Sequence, residues 1–88
     1  MKKLVPHKDV VSQEVQGEVV LLHLGTEQYY GLDGPGILVW QLLAEGQPRD
    51  EILVALKNRY QAVPESTLAT DLDELLSDLE RSGLVEQG

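Results

Sequence analysis

Residues 18–36 read EVVLLHLGTEQYYGLDGPG, and along this stretch the pattern changes from strand to helix. Residues 18–24 are nearly continuously apolar, which predicts the central strand of a small sheet, covered on at least one face. A turn at 25–27 and a short further strand at 28–32 follow. Residues 33–36 place an aspartate carboxylate before an early-turn proline, so we expect a helix to begin here with that carboxylate as its cap.

Upstream of this stretch, valines at positions 10, 11 and 15 predict a first strand over residues 9–15. Gln16 and Gly17 form a tight hairpin turn, in which the glycine supplies a positive φ. Residues 1–8 are expected to be a short arm, because Pro6 interrupts regular backbone pairing.

Downstream of this stretch, the apolar residues recur at the spacing of an α-helix. A first helix ends at Gly46, and a second begins at Pro48 with two acidic residues in its first turn, where the helix dipole favours them. A third helix covers residues 64–82, with leucines spaced along one face. Gly83 follows it as a terminating residue, and Leu84-Val85 can fold back onto the core.

Three strands followed by three helices indicate a single α+β domain over residues 1–88. The hydrophobic content of 42% suits a globular chain, and the absence of cysteine excludes disulfides and thiolate chemistry. No apolar run approaches the ~20 residues of a membrane span, and no signal-peptide segment follows the first residues. We therefore expect a soluble, cytoplasmic protein with no membrane partner.

The net charge of −8 argues against nucleic acid as a partner. Affinity for nucleic acid comes largely from basic residues that neutralise phosphates, and this chain has no basic stripe. Its third helix carries a single base, Arg81, at its end. An acidic winged-helix module that docks onto proteins or acts in transcription remains an alternative.

Side chains that could carry chemistry are sparse. His7 and His23 have no partner at metal-ligand spacing, and we interpret both as rim or surface histidines. The serines lie outside any nucleophile-elbow motif, and Gly31, Gly34 and Gly36 are not followed by the Lys-Ser/Thr of a phosphate loop. The sequence predicts no enzyme activity, no cofactor and no metal.

The adjacent tyrosines Tyr29 and Tyr30 concentrate the aromatic surface of a chain that has no phenylalanine. Side chains alternate across a strand, so one tyrosine should support the core while the other faces outward. As the third of three strands, this segment should also be an edge, which can accept a peptide as an additional strand. The alternatives are an ordinary edge strand and a homodimer that pairs through this strand.

Carboxylates at Asp71, Glu74 and Asp78 form a stripe beside the leucine face of the third helix. The stripe is either a solvated face or a negative rim that attracts Lys or Arg from a bound peptide.

Two longer motifs resemble those of PqqD-like domains, also called RiPP recognition elements (RiPPs are ribosomally synthesised, post-translationally modified peptides). Residues 22–33 (LHLGTEQYYGLD) are similar to the family's strand–turn–strand signature, and 36–43 (GILVWQLL) to its Gly-x-x-(Ile/Val)-Trp-x-Leu-Leu helix. The segments 50–52 and 83–85 stand where the family has its second-helix entry and its terminal Gly-Leu-Val. The similarity spans about residues 10–86.

The resemblance implies a winged helix-turn-helix-like fold whose sheet receives a precursor's leader peptide as a fourth strand. The third strand would supply backbone pairing, and leucines of the third helix with an aspartate at their rim would line an apolar slot. The residues implied are Gln28, Tyr29, Tyr30, Gly31, Leu32, Leu68, Asp71, Leu72, Leu75 and Leu76.

Within the family, the branch acting in quinone-cofactor synthesis carries a Tyr-Pro-Glu-Gly-like stretch where this chain has residues 25–28 (GTEQ). The chain looks closer to stand-alone proteins of lasso-peptide clusters, which implies a separate leader peptidase and a modifying cyclase as partners. The alternative is a PqqD-type chaperone that delivers a precursor to a radical SAM enzyme. We expect a monomer, with an edge-paired dimer as the competing state.

Overall fold

The computed structural model describes residues 3–88. The first two residues of the predicted N-terminal arm lie outside this range. The elements are β1 (Leu4–Pro6), β2 (Val10–Val15), β3 (Glu18–His23), β4 (Gln28–Leu32), α1 (Pro35–Ala44), α2 (Arg49–Arg59), α3 (Glu65–Arg81) and β5 (Val85–Gln87).

The principal sheet is antiparallel in the order β2-β3-β4, so β3 is the central strand, as predicted. Three helices follow this sheet, which confirms the α+β architecture. The β2–β3 hairpin closes through Gln16 (φ 52°) and Gly17 (φ 84°). Two consecutive positive φ angles define the two-residue turn whose twist matches that of the flanking strands.

Gln16 is the strained member of this turn, because a long side chain disfavours the left-handed region that asparagine tolerates. We expect Gln16→Asn to raise the free energy of unfolding by about 0.5–1 kcal/mol. Urea denaturation would measure the change. Gln13→Asn on the neighbouring strand is the control, and equal effects of the two substitutions would contradict the turn-strain explanation.

A second, two-stranded sheet joins β1 to β5. The prediction of an arm over residues 1–8 is therefore wrong for Leu4–Pro6, which form a strand. The N–H of His7 donates to the carbonyl oxygen of Leu84 (2.9 Å), and the N–H of Gly88 donates to that of Lys3 (2.8 Å). Since bonded pairs alternate along an antiparallel ladder, Pro6 occupies a non-bonded position. Its missing N–H therefore does not interrupt the strand.

The start of α1 differs from the predicted aspartate cap. Its N-cap is Gly34, with φ 47° and ψ −120°, and Pro35 occupies the first helical position. Asp33 contributes its backbone carbonyl oxygen, which accepts from the N–H of Gly36 at 2.9 Å. A backbone turn thus takes the place of the predicted carboxylate cap. This turn requires a positive φ at position 34, which glycine adopts without strain.

The helices cover one face of the principal sheet and enclose the core between them. Val85 enters the core from β5, and the chain before it turns at Gly83 (φ 73°), as the predicted terminator requires. The buried apolar residues are Leu21, Leu32, Val39, Trp40, Leu43, Ile52, Leu56, Leu68, Leu72, Leu76, Leu79, Leu84 and Val85. Within residues 3–88, no helix has the length and apolar character needed to cross a membrane.

Candidate functional site

Strand β4 is an edge of the principal sheet: within residues 3–88 its ladder partner is β3 alone. The tight turn makes Val15 and Glu18 a bonded pair, so alternate residues of β3 (18, 20 and 22) bond to β2. Residues 19, 21 and 23 then bond to β4, opposite residues 32, 30 and 28. The N–H and C=O groups of Tyr29 and Gly31 consequently point away from the sheet, toward the open side.

The tyrosine side chains of β4 divide as the sequence predicted. Tyr30 packs against the core, and Leu32 beyond it is buried. Tyr29 projects from the opposite face of the sheet and is 75% exposed. One tyrosine therefore supports the helix side of the strand, and the other belongs to the outer face.

One flank of α3, formed by Asp71, Leu75, Asp78 and Ser82 at helical spacing, lies toward this edge, and its Ser82 lines a cleft with Gln28 and Tyr29. Burial raises the pKa of the Tyr30 phenol, and the nearby Asp78 carboxylate raises it further. This electrostatic coupling indicates that the Asp78 carboxylate lies near the Tyr30 hydroxyl group. We call the space between this flank and the strand the β4–α3 groove.

The groove ends in two clefts. The near cleft, where β4 begins, is lined by Gln28, Tyr29, Ser82 and Leu84. The far cleft, beyond the end of β4, is an apolar cavity of about 130 Å³. It is lined by Pro35, Val39, Leu56, Leu68, Asp71, Leu72 and Leu75. The near cleft thus has three polar side chains and one leucine, whereas a single carboxylate lies at the edge of an otherwise apolar far cleft.

The leucines predicted to line one slot occupy different positions. Leu75 is half-buried on the groove flank, while Leu68 and Leu72 lie at the bottom of the far cleft, 6% and 2% exposed. Leu76 is buried and lines a separate cleft with Leu4 and Leu43. The leucine stripe of α3 is wider than the groove, so some of its leucines pack in the core and not in the groove.

The carboxylate stripe is divided in a similar way. Asp71 lies at the far cleft, and Glu74 lines an open surface depression with Asp73 on the outer side of α3. Asp78 stands between the two surfaces and accepts a hydrogen bond from the Arg81 guanidinium at 2.6 Å. Asp71 has no ion pair with any residue in 3–88, so its charge is available at the groove.

Pro35, Ser82 and Leu84 contribute to the groove, although neither the sequence patterns nor the resemblance implicated them. The predicted carboxylate stripe already included Asp78, and Ser82 follows it by four positions, so the same helical spacing would have found Ser82. Pro35 and Leu84 lie in other elements, and only the packing of these elements brings them to the groove.

His23 is buried, at 8% exposure, so its interpretation as a rim or surface residue is wrong. The Nδ1 atom of His23 accepts hydrogen bonds from the N–H groups of Gly25 (3.0 Å) and Thr26 (3.2 Å). His23 therefore holds the β3–β4 loop. Among residues 3–88, no three His, Cys, Asp or Glu side chains are grouped so that they could hold a metal ion.

Comparison with known proteins gives two kinds of match. Residues 18–85 match the family described as "Coenzyme PQQ synthesis protein D (PqqD)". The fold is similar to that of "TbiB1 in Complex with the TbiA(beta) Leader Peptide", with a TM-score of 0.86 and 40% sequence identity over 93% of this chain and 94% of that one. It is also similar to "Lasso peptide synthetase B1 complexed with the leader peptide", with a TM-score of 0.86 and 19% identity, covering 96% and 98%. No curated protein sequence matches the chain.

Proposed function

Because this chain belongs to the PqqD family, as the match over residues 18–85 shows, we propose that it binds the leader region of a ribosomally made precursor peptide. The observation that carries the proposal is the open β4 edge beside the flank of α3. An unpaired edge supplies backbone affinity for an extended peptide, and the adjoining clefts supply side-chain selectivity. The guest would become the fourth strand of the principal sheet.

In this arrangement the guest backbone pairs with the outward N–H and C=O groups of Tyr29 and Gly31. Alternate guest side chains then point into the β4–α3 groove, where they meet Tyr30, Leu75 and the two clefts. The far cleft favours an apolar guest side chain. The unpaired carboxylate of Asp71 at its edge favours a nearby Lys or Arg, because a rim charge steers and orients an oppositely charged partner.

Among members of the family, we propose the lasso-peptide branch for this chain. TbiB1, which was solved with a leader peptide, is 40% identical to this chain over nearly the full length of both. Delivery of a quinone-cofactor precursor to a radical SAM enzyme is the second candidate, and the observation behind it is that the family description names coenzyme PQQ synthesis. In both cases the chain carries the peptide, and a separate enzyme performs the chemistry.

The test uses the cognate leader peptide, by which we mean the synthetic leader of a short precursor identified among the open reading frames that neighbour the gene for this chain. Calorimetry should give saturable, one-to-one binding, and NMR titration should shift the amides of Tyr29 to Leu32 and of the α3 flank. A scrambled leader is the control. Binding that leaves both segments unshifted would place the site elsewhere and contradict the proposal.

Leu75 provides the apolar centre of the groove flank. We expect Leu75→Ala to weaken cognate leader binding about five-fold, because roughly 1 kcal/mol of apolar contact is lost. Ser77→Ala, on the exposed side of the same helix, should leave affinity unchanged. Equal affinities of Leu75→Ala and the unmodified chain, measured by calorimetry, would exclude Leu75 from the guest contact.

The outer face of the principal sheet suits the proposed delivery to a leader peptidase. Val11, Leu22 and Tyr29 are directly opposite one another across the three strands. Val11 is 46% exposed and Tyr29 75% exposed, and Val20 lies in the adjacent row. Contiguous exposed apolar patches of this kind mark protein interfaces. We name Val11, Val20, Leu22 and Tyr29 the outer patch.

The outer patch is continuous with the guest site, because Tyr29 belongs to both. A guest added to β4 would extend the same face by one strand, and its outward side chains would stand beside the Tyr29 ring. A peptidase docked on this face would touch carrier and guest together. We therefore propose the leader peptidase as the occupant, with a monomeric carrier, since a dimer paired through β4 would block the guest.

A further inference from the structure

Two imidazole rings lie against each other where β4 begins. The ring centroids of His7 and His23 are 4.7 Å apart, with an interplanar angle of 38°. His7 belongs to the connection between β1 and β2, and His23 is the last residue of β3. The pair therefore joins the small sheet to the principal sheet.

Both rings use Nδ1 as a hydrogen-bond acceptor. Nδ1 of His7 accepts from the N–H of Asp9 at 3.0 Å, and Nδ1 of His23 accepts from the N–H groups of Gly25 and Thr26. A protonated imidazole is a donor at both nitrogens. Protonation at Nδ1 would thus place two donors against each other, and the ring or the loop would have to move.

These hydrogen bonds support the near cleft of the groove. The β3–β4 loop held by His23 is also closed by the N–H of Glu27, which donates to the His23 carbonyl oxygen at 2.7 Å. This loop leads directly into Gln28, a lining residue of the near cleft. On the other side, the N–H of His7 donates to the carbonyl oxygen of Leu84, which lines the same cleft.

We propose that protonation of the His7–His23 pair loosens the near cleft and releases the bound guest, so that pH regulates the peptide site. The inference rests on the proposed function. Histidine is the side chain whose charge ordinarily changes between pH 5 and 8, and the two rings lie 4.7 Å apart beside the near cleft. The guest is held at neutral pH and is released as the pH falls.

Two carboxylates face the pair from the neighbouring elements. Glu86 of β5 has its Oε2 atom 3.9 Å from Nε2 of His7. Asp9 lies beside the β3–β4 loop, where its Oδ2 atom would be 3.8 Å from a Cβ placed on Gly25. These acids offer a charged ring an ion pair in place of its backbone donors, so the protonated pair has an alternative arrangement to adopt.

The matched variant is the double substitution His7→Asn and His23→Asn. An asparagine side-chain oxygen accepts from a backbone N–H two residues on, as these histidines do, but it does not titrate. By calorimetry, binding of the cognate leader peptide to the unmodified chain should weaken at least about ten-fold between pH 7.5 and 5.5. The double variant should change less than about two-fold. Identical pH profiles for the two proteins would overturn the inference.

A readout without guest separates this inference from the proposed function. In the free chain, NMR should show the Gly25 and Thr26 amides shifting and exchanging faster as the pH falls, and the ring ¹⁵N signals should follow the same transition. Absence of leader binding at pH 7.5 contradicts the proposed function, whereas unmoved loop amides contradict the switch. If the double variant does not fold, His23→Asn alone serves, and an unchanged pH profile for it overturns the inference.

Discussion

Replacing Tyr29 by proline is expected to weaken binding of the cognate leader peptide by about 100-fold while the chain stays folded. The register directs the N–H of Tyr29 to the open side of β4, so proline removes a donor that the sheet itself does not use. The pyrrolidine ring also occupies the space into which a guest carbonyl would fit. Proline is tolerated on an edge strand at such a position, and the 75% exposed tyrosine ring contributes little to the core.

Two controls isolate the backbone contribution. Tyr29→Ala keeps the N–H and should reduce affinity far less than proline does. Ser12→Pro makes the matched change on β2, at an outward position of the opposite edge, and should leave binding intact. Calorimetry gives the affinities, and circular dichroism confirms folding. Equal losses for Tyr29→Pro and Ser12→Pro would show that the β4 edge does not pair with the guest.

The choice of Tyr29 depends on information that the sequence supplies only in part. Alternation along residues 28–32 predicted one inward and one outward tyrosine, and the structure confirms it. Which tyrosine faces inward depends on the pairing register, because a shift of one residue exchanges the two faces of a strand. The loop over residues 24–27, whose N–H groups at Gly25 and Thr26 are held by His23, fixes that register between β3 and β4.

The parts that sequence reasoning missed are those created by packing between distant segments. The pairing of β1 with β5 joins the two ends of the chain, and a three-residue strand containing Pro6 carries no strand pattern of its own. His23 alternates with leucines like a surface residue, yet it is buried because its Nδ1 finds two backbone donors in the following loop. By contrast, the sequence predicted the bounds of the helices closely, because the spacing of apolar residues and the residue types at helix ends are local signals.

Replacing Val11 by lysine is expected to slow leader removal by the partner peptidase at least about ten-fold, with leader affinity unchanged. Val11 is the second residue of β2 and belongs to the outer patch, opposite Leu22, and its 46% exposed side chain contributes little to the core. A lysine there would bury an unpaired ammonium group when an apolar partner surface closes over the patch, which costs several kcal/mol unless the group escapes to solvent.

Ser12→Lys provides the decisive comparison, because it adds the same charge to the same strand on the opposite face of the sheet. A peptidase attracted only by the net charge of −8 would respond equally to both substitutions, whereas a peptidase docked on the outer patch responds to Val11→Lys alone. The rate is measured as cleavage of the loaded precursor by the leader peptidase proposed as the partner. Since neither residue contacts the β4–α3 groove, calorimetry with the cognate leader peptide should show unchanged affinity for both variants. A slower rate accompanied by lost affinity would instead mean that the sheet was disturbed, and normal cleavage by Val11→Lys would remove the outer patch as the docking surface.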